Sequence, residues 1–214
     1  MISAEEALAR LKEGNRRFVS DLRGKEVVTD QTRRSELVAA QEPSAIILGC
    51  SDSRVPAEIV FDQGLGDLFV IRVAGNIVAP SQIGSIEFAA ERYGTRLVVV
   101  LGHSSCGAIL ATVEELEHPD ETRSANLQSI VSRIRPSVQT LMETELRHDH
   151  EALVKHAIRA NIRASVNQLR HGSPTLEKLI QENKLMVVGA EYSLDTGAVE
   201  FFDESHGSGV SEFS

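Results

Sequence analysis

Apolar positions fall into two rhythms along this chain. Near its start, Ala7, Leu8, Leu11 and Phe18 recur at roughly helical spacing, and Ser3 and Glu6 stand three apart as in a capping box. Residues 3–20 therefore predict an amphipathic helix, and residues 31–40 a second, shorter one. From residue 44 the rhythm changes. SAIILGC (44–50), DLFVIRV (67–73) and RLVVVLGH (96–103) are near-continuous apolar runs rich in β-branched residues, as parallel strands covered on both faces tend to be. PSQIGSIEFAAERYG (80–94) lies between the second and third runs, with Pro80 at its start and Gly94 past its end, and predicts a helix.

A polar helical stretch follows over about 121–171, with breaks predicted at Pro136 and around 142–150. KLMVVGAEYSL (184–194) returns to strand character, and DTG (195–197) reads as a hairpin turn into AVEFF. Strands alternating with helices imply an α/β fold. The expected architecture is a central, mostly parallel sheet of four to five strands, with an antiparallel edge strand at the C-terminal end and helices flanking it. Residues 1–43 are expected to form an N-terminal helical arm, and residues 44–203 the α/β domain. Residues 204–214, rich in Gly and Ser, are expected to form a loose tail.

Composition narrows the functional classes. A formal net charge of −9 argues against a nucleic-acid or anionic-membrane surface, because both need clustered Lys and Arg. The short basic pairs Arg16–Arg17 and Arg33–Arg34 are interleaved with acids and read as solvated helix faces or salt-bridge partners. The apolar runs have strand length, well short of the roughly 18 residues of a membrane span. The first residues lack the apolar stretch of a secretory signal. These features predict a cytoplasmic chain, whose two cysteines are then thiols or metal ligands rather than a disulfide.

Both cysteines stand at predicted strand ends. Cys50 follows the first run; His103 closes the third, with Cys106 three residues on. The carboxyl ends of parallel strands form the crevice where open α/β sheets bind ligands, so these residues meet if the first and third strands are neighbours. Two thiols and an imidazole suit zinc, and three protein ligands leave a fourth position for water or substrate. Asp52 could take that position itself, or Arg54 could hold its carboxylate away.

CSDSRVPAEIVFDQGLGDLFVIRVAGN (50–76), with GSIEFAAERYG and VVVLGHSSCGA, resembles the β-class carbonic anhydrases over about residues 15–202. The resemblance implies a zinc enzyme that interconverts carbon dioxide and bicarbonate. It implies one Zn2+ per subunit on Cys50, His103 and Cys106, and a catalytic dyad of Asp52 and Arg54. It also implies substrate contacts from Gln41 and apolar walls at Phe69, Ala74 and Phe88, with Val55 a further wall candidate; beside the Gln41 amide, the Gly107 backbone N–H could bind a substrate oxygen as charge develops there. The implied site lies at the interface of a homodimer or homotetramer, so Gln41 and some wall residues come from the partner, the arm of residues 1–43 packs on that partner, and residues 44–203 are the zinc-binding catalytic domain.

In one subgroup of that family a second bicarbonate site uses a Trp, an Arg and a Tyr. Here Arg72 and Tyr192 match, while Ile47 stands where the Trp would be, which argues against that site. His148, His150, His156 and His171 read as solvated helical positions, and His118 and His206 as loop residues, so no proton shuttle is assigned. Two alternatives share these residues: a carbonyl sulfide or carbon disulfide hydrolase on the same scaffold, and a non-catalytic zinc or redox-sensing module.

Overall fold

The structure is a computed structural model and describes residues 2–22, 31–118 and 124–202. The expected tail, with His206, lies outside them. Five strands form one sheet: β1 (Ala45–Gly49), β2 (Leu68–Arg72), β3 (Leu97–His103), β4 (Met186–Tyr192) and β5 (Val199–Phe202). Their order is β2-β1-β3-β4-β5, parallel throughout except for the antiparallel β4–β5 pair. β1 and β3 are thus neighbours, with Gly49 opposite Leu101. That pairing brings the loop after β1 beside the turn after β3.

Strand residues alternate between two buried layers, as a period of two requires. Ile46, Leu48, Val98, Val100 and Val187 face one cluster with Ile86, Ile109, Ile134, Leu153 and Ile162 of the helices. Ala45, Ile47, Val99, Leu101 and Val188 face a second with Leu8, Leu11 and Phe61. The helices of the first layer are α4 (Pro80–Arg92), α5 (Gly107–Glu117), α6 (Ala125–Met142), α7 (His150–His171) and α8 (Pro174–Gln181). The second layer holds α1 (Ala4–Val19) and the single turn α3 (Ala57–Val60), while the short α2 (Gln31–Leu37) buries no residue of its own.

Three expectations need correction. Helix α6 runs through Pro136 instead of breaking there. Its buried stripe of Val131, Ile134 and Val138 continues past the proline. The proline itself is exposed, so water can satisfy the carbonyl that loses its helical donor. Helices α5 and α8 were not anticipated as separate elements. α5 starts directly after Cys106 and buries Ile109, Thr112 and Val113, so the turn after β3 feeds a helix at once. The second helix ends at Leu37, short of residue 40.

The N-terminal arm is anchored within its own chain. Helix α1 lies on its own chain's sheet, with Ala7, Leu8 and Leu11 buried and the predicted capping box formed between Ser3 and Glu6. Asn15, also buried, donates to the carbonyls of Val60 (3.1 Å) and Gly197 (2.9 Å) and accepts the Val199 N–H (2.8 Å). An amide with its donors and acceptor satisfied inside one chain makes α1 part of that chain's core. Among the described residues no helix is long and apolar enough to cross a membrane.

Candidate metal centre

At the carboxyl edge of the sheet, one ligand atom each from Cys50, His103 and Cys106 lies within 4.8 Å of the others, all three residues buried. β1 delivers Cys50, β3 ends on His103, and Cys106 caps α5. His103 is fully buried; its Nδ1 lies 2.9 Å from the Ser104 carbonyl, which makes Nδ1 the protonated nitrogen. The lone pair is thereby left on Nε2, which is buried without a hydrogen-bond partner. A buried polar atom with no partner is costly unless something else meets it there. A metal ion held by the three residues would do so.

The thiols point the same way. Beside the Cys106 thiol, and despite burial, the Cys50 thiol is acidified to about 4, with help from His103, Asp52 and the Gly75 N–H. Cys106 is pushed far up, first by Cys50 and then by burial. Two thiols in one buried site cannot both ionise without a cation between them. Burial would lower the His103 imidazole pKa, but the Cys50 thiolate, the Ser104 carbonyl and Asp52 outweigh it and leave it raised. Two thiolates and one neutral imidazole form a donor set suited to a borderline-soft ion in tetrahedral geometry.

Asp52 is beside this set and turned to Arg54. The Arg54 Nε and Nη2 donate to its two carboxylate oxygens at 2.9 and 2.8 Å, and the Arg54 backbone N–H donates at 3.0 Å. Those bonds hold the Asp52 carboxyl well below the usual carboxylate range, against the opposing pull of burial, with His103 assisting. Its Oδ2 lies 3.9 Å from His103 Nε2. Of the two arrangements open from sequence, this structure has the aspartate on the arginine.

The surrounding backbone is held tightly. Gly75 (φ +68°) turns its N–H to the Cys50 sulfur at 3.4 Å. A β-carbon at that position would come within 2.7 Å of Ile134 and 3.1 Å of Ala108, so only glycine fits. From α7, the buried Asn161 amide donates to the Gly75 carbonyl (2.8 Å) and Ser165 to the Asn76 carbonyl (3.1 Å). Neither residue was singled out from sequence. The available signal was a polar residue inside the apolar stripe Val154, Ala157, Ile158, Ile162, Val166, Leu169.

The other predicted site residues divide into two groups. Gly107 opens α5, where helix N–H groups lack intrahelical partners, and the space a side chain would occupy there is open. Ala74 precedes Gly75 in its turn, and Val55 is buried just after the dyad. Phe69 and Phe88 cluster instead with Tyr93, at centroid separations of 5.6–6.4 Å. Gln41 donates its amide to the Tyr93 hydroxyl at 2.9 Å, in a cleft of about 680 Å³ that also takes in Leu37, Val38 and Arg92. Phe69 pairs with Ile46, three residues and so roughly 10 Å back from the Gly49–Arg72 pair at the sheet's edge. This second group is not gathered around the metal centre of its own chain. His148, His150, His156 and His171 are all exposed.

An α/β sheet carrying a Cys/His/Cys donor set with an Asp–Arg pair beside it defines a metalloenzyme-like site of a particular kind, and comparison with known proteins agrees. The family model described as carbonic anhydrase matches residues 45–199. A carbonic anhydrase of Mycolicibacterium smegmatis is 40% identical over 192 residues, 89% of each chain. Carbonic anhydrase 2 of Mycobacterium tuberculosis is 39% identical over 196 residues, 87% of each. Among solved structures, a tetrameric β-carbonic anhydrase from Sordaria macrospora superposes with a TM-score of 0.70 at 26% identity, covering 79% of this chain and 85% of its own. The chain belongs to the carbonic anhydrase family, and within it to the β class.

Proposed function

We propose that this chain is a zinc enzyme hydrating carbon dioxide reversibly to bicarbonate and a proton, with Cys50, His103 and Cys106 holding the metal and Asp52 and Arg54 acting as the catalytic dyad. The observation that carries the reading is the buried, unpartnered His103 Nε2 converging with two thiols, with an arginine-held carboxylate 3.9 Å away. Zinc bound there would supply a Lewis acid that makes water nucleophilic near neutral pH. Asp52, kept anionic by Arg54, can accept a hydrogen from the nucleophile and aim its lone pair at the substrate carbon. The Gly107 N–H at the start of α5 and the Gln41 amide can meet a substrate oxygen as charge develops on it. Apolar walls at Ala74, Phe69 and Phe88, with Val55, suit a substrate without net dipole.

Because Gln41, Phe69 and Phe88 lie away from their own metal centre, they serve the site of a second copy, and the enzyme works as a homo-oligomer. The exposed Phe88 and Val38 on that face, 52% and 87% accessible, support an interface there. The tetrameric state of the Sordaria macrospora relatives is consistent with such an assembly.

Stopped-flow hydration of carbon dioxide by zinc-loaded protein tests the reading. Cys50→Ser and His103→Ala should abolish activity, and Asp52→Ala should impair it with the fold kept. Absence of hydration from mildly acidic to alkaline pH would overturn it. Carbonyl sulfide and carbon disulfide assayed side by side distinguish a hydrolase on the same scaffold.

A further inference from the structure

Arg72 ends the edge strand β2 opposite Gly49, and its guanidinium is exposed. Both of its hydrogen bonds go to main-chain carbonyls of the metal loop. Nε donates to the Cys50 carbonyl at 2.9 Å, and Nη2 to the Asp52 carbonyl at 2.5 Å. These two carbonyls belong to the peptide units before Ser51 and after Asp52, and Ser51 between them is exposed. One planar guanidinium thus fixes the two peptide units that bracket the Ser51–Asp52 pair.

The consequence falls on Asp52. A carboxylate is itself a good zinc ligand, and Asp52 Oδ2 is already 3.9 Å from His103 Nε2. Arg54 grips the Asp52 side chain, whereas Arg72 grips the backbone from which that side chain springs. With the peptide units free to turn, Asp52 could leave Arg54 and become the fourth ligand. We propose that Arg72 is a positioning residue that holds the 50–54 loop with Asp52 facing Arg54, so that the fourth position beside Cys50, His103 and Cys106 stays accessible to substrate. The inference rests on the function proposed above and adds the residue that sets its open state. It also gives Arg72 a role that needs no second bicarbonate site.

The test uses cobalt(II)-loaded protein, whose visible spectrum reports whether the metal takes up an external anion, with thiocyanate as the probe. Arg72→Met keeps the aliphatic stem and removes both donors; Arg72→Lys keeps the charge and at most one of the bonds. Arg72→Met should weaken thiocyanate binding about tenfold, which is about 1.4 kcal/mol, with Arg72→Lys intermediate. Adding Asp52→Ala to Arg72→Met should return the affinity to that of Asp52→Ala alone, because the competing carboxylate is gone. An unchanged spectrum and titration in Arg72→Met, with metal content and circular dichroism retained, would overturn the proposal. So would a loss that persists in the Asp52→Ala background, since Arg72 would then act through its charge on the anion. Should Arg72→Met fail to fold, Arg72→Lys decides, and parental affinity in it refutes the proposal. Wild-type protein that binds cobalt and thiocyanate but hydrates no carbon dioxide would defeat the proposed function, not the role of Arg72.

Discussion

The turn from His103 to Cys106 and the loop from Cys50 to Arg54 each bring a thiol to the same point, and they are held by different means. The first is built into the core. His103 ends a strand buried at every position. The Ser104 N–H donates to the Tyr192 carbonyl (2.9 Å), and the Ser104 hydroxyl accepts the Leu194 N–H (2.9 Å), so the turn is tied to β4 and its following loop. Beyond Cys50 the second loop is exposed at Ser51, Ser53 and Arg54, and two arginine side chains hold it. Bonds within a buried backbone change only with unfolding, whereas guanidinium bonds at a surface can be exchanged. The rigid turn therefore fixes the donor set, and the exchangeable loop decides what else approaches it.

Breaking each side in turn should give unlike losses. The largest effect is expected from His103→Ala, which removes a ligand and leaves a cavity in a fully buried place. Zinc content should fall to a small fraction of stoichiometric, and stability should drop by about 3 kcal/mol, measurable by metal analysis and urea denaturation. On the loop side, Arg54→Ala should leave metal content and stability near wild type, because the side chain is about half exposed. Carbon dioxide hydration should nevertheless fall about 100-fold, since Asp52 loses the partner that aims it. Equal loss of metal in the two variants would erase the distinction.

A third variant probes the bridge between the two. Gly75 donates to the Cys50 sulfur while its carbonyl is held by Asn161 of α7. Asn161→Ala leaves that carbonyl buried without the amide, which should cost about 1–3 kcal/mol and weaken zinc affinity about tenfold. Competition with a chromophoric chelator measures the affinity. If stability falls while affinity holds, Asn161 supports only the fold.

Much of this was legible in the sequence, for physical reasons that can be named. The central strands were readable because both faces of the sheet are covered there, which forces unbroken apolar runs at 45–49 and 97–103, and the partly buried β5 was readable from the turn before it. The donor set was readable because cysteine and histidine carry their chemistry in their identity, and strand ends give them an address. Arg72 and Asn161 escaped as positioning groups because their partners are backbone carbonyls, and no side-chain pattern announces which carbonyl a guanidinium or amide will find. Pro136 misled because a local rule was overridden by the buried stripe on either side of it. The N-terminal helix was legible only in part. Amphipathicity says that α1 must bury a face, but the surface it covers is set by Asn15 and the β4–β5 hairpin, far along the chain.

The smallest predicted effect separates backbone strain from function in the rigid turn. Ser105 sits at φ +55°, the left-handed region, and its side chain is exposed. A non-glycine residue there costs about 1–2 kcal/mol, while glycine would cost about 0.5–1 kcal/mol in unfolded-chain entropy. Ser105→Gly should therefore raise stability by about 0.5 kcal/mol, a shift of a degree or two in Tm, with metal content unchanged. A turn already tied to β4 through Ser104 gains nothing in position from the extra freedom and has no reason to lose its ligand geometry. A fall in zinc affinity in Ser105→Gly would mean that the side chain at 105 holds the turn. The rigidity of the His103–Cys106 segment would then be no more built-in than that of the loop it faces.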